Sequence, residues 1–182
     1  TRCCASVWIS RLLLAWALAC GLGAVARAEG AALSALSVAR EGNELILSAR
    51  LDFALSPVVE DALHKGIPVH FVAEADVMRE RWYWYDRNVA SAQRYMRVAY
   101  QPLTRRWRLN TSSEPIVNSG LGVSLTQNYD SLSEVMAAVQ RIGRWKIASA
   151  GDLESGGRYT LRFRFRLDAT QLPRTLQLGT VG

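Results

Sequence analysis

The run RYTLRFRFRLD, Arg158 to Asp168, alternates without a break: Tyr159, Leu161, Phe163, Phe165 and Leu167 fall on one side of an extended chain, and Arg158, Arg162, Arg164 and Arg166 on the other. A period of two is the signature of a strand with one dry and one wet face, and such strands belong to antiparallel sheets. The rest of the chain repeats the pattern at short spacing. Leu36 to Phe53 reads as a hairpin around a Glu41-Gly42-Asn43 turn, with Leu45, Leu47, Ala49, Leu51 and Phe53 on one face. Ile67 to Met78 puts Val69, Phe71, Ala73, Ala75 and Val77 on one side and His70, Glu74 and Asp76 on the other. Arg94 to Gln101 and a segment from Thr104 read as two strands parted at Pro102, because proline has no N–H to give a central ladder. Trp145 to Ala148 adds another short strand.

Two segments break the alternation. In SPVVEDALHKG, Ser56 is a helix cap, Pro57 suits the first helical position and Gly66 the left-handed stop, with Val59, Ala62 and Leu63 as the buried stripe. In DSLSEVMAAVQRIG, Ser131 and Glu134 form a capping box, Leu132, Val135, Met136, Val139 and Ile142 recur at helical spacing, and Gly143 ends the helix. About eight short strands with two short helices predict a mainly β fold, an antiparallel β-sandwich or open barrel rather than a doubly wound α/β fold.

The 182 residues, 49% apolar and 21% charged, fit one globular domain, residues 29–182, behind a leader at 1–28. Residues 12–26, LLLAWALACGLGAVA, form an apolar run after Arg2 and Arg11, and Ala26-Arg27-Ala28 supplies the small-x-small pattern of a secretory cleavage site. The run is short for a membrane span, which takes about 20 apolar residues. The expectation is therefore a periplasmic protein exported by a cleavable signal peptide, with a retained anchor or lipidation at Cys20 as rivals. Thr1 stands where an initiator methionine is expected, so the N-terminus reads as incomplete. Loss of Arg2, Arg11 and Arg27 leaves 19 basic residues against 16 acidic ones, and the net charge falls from +6 to +3. That weakens any case for a nucleic-acid partner. Cys3, Cys4 and Cys20 all precede the cleavage site, so the mature domain is thiol-free and needs neither disulfide nor sulfur-ligated metal.

Two basic features are candidate binding surfaces. RERWYWYDR, Arg79 to Arg87, alternates Trp82 and Trp84, the better core residues, with Tyr83 and Tyr85, which share a face with Arg79, Arg81 and Arg87. One reading is a sheet surface with guanidinium stacked on rings. The other is a groove for a glycan, peptide or anionic lipid head group. The ladder Arg162, Arg164, Arg166, with Arg105, Arg106 and Arg108, poses the same choice: a solvated face compensated by Glu74, Asp76 and Glu80, or peripheral contact with membrane phosphates.

Chemistry is poorly represented. The two histidines, His64 on a helix end and His70 on a strand, lie in no nucleophile motif, and a metal held by them with Glu74 is not expected. No G-x-S-x-G, H-E-x-x-H, phosphate loop or acidic calcium loop occurs. The chain reads as a non-enzymatic binding module without cofactor or metal. The alternatives are a direct binder of anionic envelope glycan or lipid and, after it, an uncharacterised hydrolase built on His64 or His70.

ALHKGIPVHF, RERWYWYD, YQPLTRRWRL, SLSEVMAAV and YTLRFRFRLDATQLP, in that order, resemble the proteobacterial exported proteins grouped as domain of unknown function 4390, over about residues 36–178. Arg81, Trp82, Asp86, Tyr100, Leu103, Leu167, Asp168, Leu172 and Pro173 match the family pattern most closely, while Thr175 departs from the proline expected there. The resemblance implies an envelope protein of unknown activity and a strand or tail continuing past Gly182. It further implies a genetic neighbourhood containing a membrane sensor kinase of nitrogen-regulation type and an rRNA methyltransferase, hence a role as accessory to such a sensor. It assigns no catalytic residue.

Overall fold

A computed structural model of the chain describes residues 31–80, 87–116, 124–154 and 156–168. In chain order the elements are β1 (Ala32–Glu41), β2 (Glu44–Asp52), α1 (Pro57–His64), β3 (Val69–Arg79), β4 (Arg87–Gln101), β5 (Arg106–Ser112), β6 (Leu125–Tyr129), α2 (Leu132–Gln140), β7 (Arg141–Ser149), a 3-10 turn (Ala150–Asp152) and β8 (Tyr159–Leu167). The strands make two antiparallel sheets, one in the order β1-β2-β7 and the other β6-β5-β4-β3-β8. Neither closes on itself, and the mainly β, antiparallel architecture with two short helices is the one expected from the sequence.

The alternation read from the sequence sets the register. Leu47, Ala49 and Leu51 of β2 point inward, as do Val69, Phe71, Ala73, Ala75 and Val77 of β3, and they meet in one core with Val98, Leu109, Ile142 and Trp145. Each such side chain taken fully from water contributes ~1.5–3 kcal/mol. Phe53, just past β2, packs on Phe71 of β3 and Phe165 of β8, at centroid distances of 5.8 and 5.2 Å. The smaller sheet lies over β3 and β4 through β7, Phe53 reaches on to β8, and β1 is on the side of β2 away from β7.

The expected turn between β1 and β2 is the two-residue loop Gly42–Asn43, where Gly42 takes φ 57°, open to glycine at little cost. α1 follows the sequence reading except at its cap, where the Ser56 side chain makes no capping bond. Pro57 opens it, the Ser56 carbonyl accepts from the N–H groups of Val59 and Glu60 at 3.0 Å each, Val59, Ala62 and Leu63 are buried, and Gly66 at φ 81° closes it. α2 starts as expected, with the Ser131 hydroxyl accepting from the Glu134 N–H at 3.2 Å and the Glu134 carboxylate accepting from the Asp130 N–H at 3.2 Å.

Its end is a correction. The helix stops at Gln140, so Ile142 and Gly143, expected as its last buried residue and its stop, belong to β7. Ile142 is buried all the same, now as an inward strand residue paired through Ala49 of β2. α2 packs against β5, β6, β7 and β2, strands of both sheets, and α1 packs against β4.

Candidate functional site

Inward residues of β3 have odd numbers, so the even ones form the outer face of the five-stranded sheet. There His70, Val72, Glu74 and Asp76 sit beside Arg97, Tyr95, Gln93 and Ser91 of β4. On the other flank β8 sets Arg166 opposite Val72, Arg164 opposite Glu74 and Arg162 opposite Asp76. Antiparallel pairing brings side chains directly opposite within about 5.5 Å at Cβ, close enough for ions to engage.

The ladder is compensated by the acids the sequence nominated, with one exception. Arg164 lies 3.1 Å from both Glu74 and Asp76, and Arg166 lies 3.2 Å from Glu74. The two acid side chains are only 13% exposed. Asp76 also accepts from the Ser91 hydroxyl at 2.6 Å. Glu80 accepts from the Thr160 hydroxyl at 2.6 Å and pairs with no arginine among the described residues. Arg162 is exposed and makes no ion pair or hydrogen bond among the described residues. Further across the sheet Arg108 donates to Asn128 at 3.5 Å, Asn110 donates to Thr126 at 3.1 Å, and Arg106 lies 3.4 Å from Asp130.

At the end of this face His70 Nδ1 and Arg97 Nε are buried without a hydrogen-bond partner among the described residues. Burial, reinforced by the Arg97 guanidinium and opposed by Asp168, pushes the His70 imidazole below its ordinary pKa. The Asp168 N–H donates to the His70 carbonyl at 2.8 Å, tying the end of β8 to β3.

The other candidate residues lie elsewhere. Arg79 pairs with Tyr159 and with Arg87, on the core side of the sheet, opposite to the face that carries Arg162, Arg164 and Arg166. Its guanidinium lies 2.5 Å from the Glu154 carboxylate, and Arg87 is exposed. Arg79 and Arg87 therefore do not join the ladder in one patch. Arg81, Tyr83 and Tyr85, with Trp82 and Trp84, fall outside the described residues.

The two histidines are also apart. His64 Nδ1 lies 2.9 Å from the Glu60 carbonyl oxygen, and its ring sits edge-on to Trp107 at 5.3 Å, beside Tyr100 at 6.2 Å. His70 lies on the outer face of β3. Among the described residues no group of three or more His, Cys, Asp or Glu side chains is placed to hold a metal ion, and no helix is long and apolar enough to cross a membrane.

One inward-facing cation escaped the sequence reading. Arg94 of β4 pairs with Ala73, so it shares the core face, and its guanidinium lies 5.2 Å over the Trp145 ring of β7. Burial lowers its pKa. The signal was present in RYMRVAYQ, where Arg94 has the parity of Met96 and Val98.

No curated protein and no solved structure matches the chain. A family model does, over residues 28–182, which takes in every element described above, and by that match the chain belongs to the family described as domain of unknown function (DUF4390).

Proposed function

We propose that the protein is an exported, non-enzymatic interaction module of the periplasm, which docks an envelope partner, a membrane sensor, on the outer face of its five-stranded sheet. The observation that carries the proposal is the order of that face. Glu74 and Asp76 are held between β4 and β8 by Arg164, Arg166 and Ser91, which fixes a flat polar surface before any partner arrives. Side chains already ordered lose little further freedom on docking. The apolar leader at residues 12–26 supports export.

The test places a photo-crosslinking side chain at Arg162, on this face, or at Arg50, exposed on β2 of the smaller sheet, in the full chain. Irradiated envelopes are expected to give a discrete adduct with one membrane protein from position 162 and none from position 50. The same adducts from both positions, or none from 162, would overturn the proposal.

A second reading, direct binding of an anionic glycan or lipid, is favoured by one feature: the exposed Arg162 has no counter-ion among the described residues. Under it, Arg162→Ala lowers retention on vesicles of anionic lipid at low salt about fivefold, the equivalent of ~1 kcal/mol per cation at such a surface. Unchanged retention dismisses it.

A further inference from the structure

The four sheet edges are not treated alike. β8 carries Arg162, Arg164 and Arg166 along its length. β7 carries Arg141, Arg144 and Lys146, and its pairing with β2 is irregular twice, once at Ile147 and once at Gly143 and Arg144, the latter at φ 44°. β6 is only five residues long. Charge, bulges and brevity are the devices that stop an edge from recruiting another strand. β1 has few of them. It is ten residues long, is uncharged from Ala32 to Ala39, and keeps continuous register with β2 from Ala35 to Glu41. All ten residues are exposed.

The face of β1 that continues the core is apolar and open. Leu36 and Val38 pair with Ala49 and Leu47, the inward residues of β2, yet stay 40% and 42% exposed, and Leu33, opposite Leu51, stays 45% exposed. An edge that is both unguarded and apolar on its core side is built to be paired.

We propose that β1 is a homodimer interface, pairing antiparallel with β1 of a second copy about a twofold axis at Ser37 and joining the two small sheets into one of six strands. The strand fits itself. With Ser37 opposite Ser37, Leu36 meets Val38 twice on the inner face and Ala35 meets Ala39 twice on the outer one. Arg40 and Glu41 go to the outer ends, against Ser34 and Leu33, so no like charges are opposed. The arrangement is isologous and closed, and it covers the long β1 edge of each molecule, uncharged from Ala32 to Ala39, without needing another protein to supply a matching strand.

The absence of thiols beyond Cys20 permits a site-specific test. In the full chain with Cys3, Cys4 and Cys20 changed to serine, Ser37→Cys places two thiols side by side at the axis, within disulfide reach. Ser34→Cys, on the same strand, places them about 20 Å apart, from ~3.4 Å per residue over six residues. Mild oxidation is expected to convert most of the Ser37→Cys protein to a covalent dimer and little of the Ser34→Cys protein. Adding Val38→Lys to Ser37→Cys, which sets a cation against Leu36 twice, should abolish that product while far-UV circular dichroism stays unchanged. Equal crosslinking at positions 34 and 37, or none at 37, overturns the dimer. The second result is also the one expected if a different protein or another segment of the chain occupies the edge.

Discussion

Ser56 and Ser131 precede the two helices in the same way and do different work. The Ser131 hydroxyl accepts from the Glu134 N–H, whereas the Ser56 hydroxyl makes no capping bond and is buried without a partner among the described residues. Losing a working cap costs about 1 kcal/mol. Losing a buried hydroxyl that bonds nothing removes a desolvation cost instead. Ser131→Ala should therefore lower stability by about 1 kcal/mol in urea unfolding, and Ser56→Ala should leave it within ~0.5 kcal/mol or raise it. Equal losses would mean that the Ser56 hydroxyl is bonded in solution. The sequence marks both serines as caps because residue type and spacing define the position. Where the hydroxyl turns depends on its packing against the sheet, which spacing does not record. The same limit explains Arg94: its parity is legible, but a sequence gives no Trp145 to lie across it.

At the scale of elements, strands with strict alternation are legible in the sequence, β7 only in part and β6 not at all. β2 and β3 announce themselves because one face of each is core, and β8 because its apolar face, partly buried, packs against that core. β6, LTQNY, has no such face, and its extended form comes from pairing with β5. Ile142 was misplaced because it satisfies both patterns, three residues beyond Val139 on a helix and inward on β7. The ladder on β8 shows how pairing separates residues that look identical in sequence. Arg164 bridges Glu74 and Asp76, while Arg162, two residues away, makes no ion pair among the described residues. Exposed ion pairs are worth ~0–1 kcal/mol, and these acids, mostly buried, belong at the upper end. Arg164→Ala should cost about 1 kcal/mol and Arg162→Ala less than ~0.5 kcal/mol, with the gap closing in 1 M salt, where the screening length is about 3 Å. Thermal unfolding of the two variants at low and high salt checks this, and a gap that survives 1 M salt would show that Arg164 acts through packing of its stem instead of its charge.

For the molecule as a whole, the question is whether two sheets of such different size stand as one unit. The smaller has three strands, one of them exposed throughout, and a sheet of that kind is unstable in water unless its apolar face is covered. Among the described residues its inward Leu47, Ala49, Leu51 and Trp145 are covered by the larger sheet and the helices, and they belong to the same core as Phe71, Val98 and Leu109. Phe53 extends that core to β8, and α2 touches strands of both sheets. The smaller sheet therefore cannot persist once the larger one unfolds, and the larger one loses the cover of β3 and β4 when the smaller leaves. Unfolding should be a single cooperative transition, as is usual for domains of this size. Leu47→Ala in the smaller sheet and Leu109→Ala in the larger, both buried, should each cost about 2–5 kcal/mol and move that one transition. In urea, far-UV circular dichroism and tryptophan fluorescence should shift together for both variants. If Leu47→Ala instead splits the curve, with one signal lost early and the other at the original midpoint, the sheets are separate cooperative units, and the covering role assigned to the smaller sheet fails.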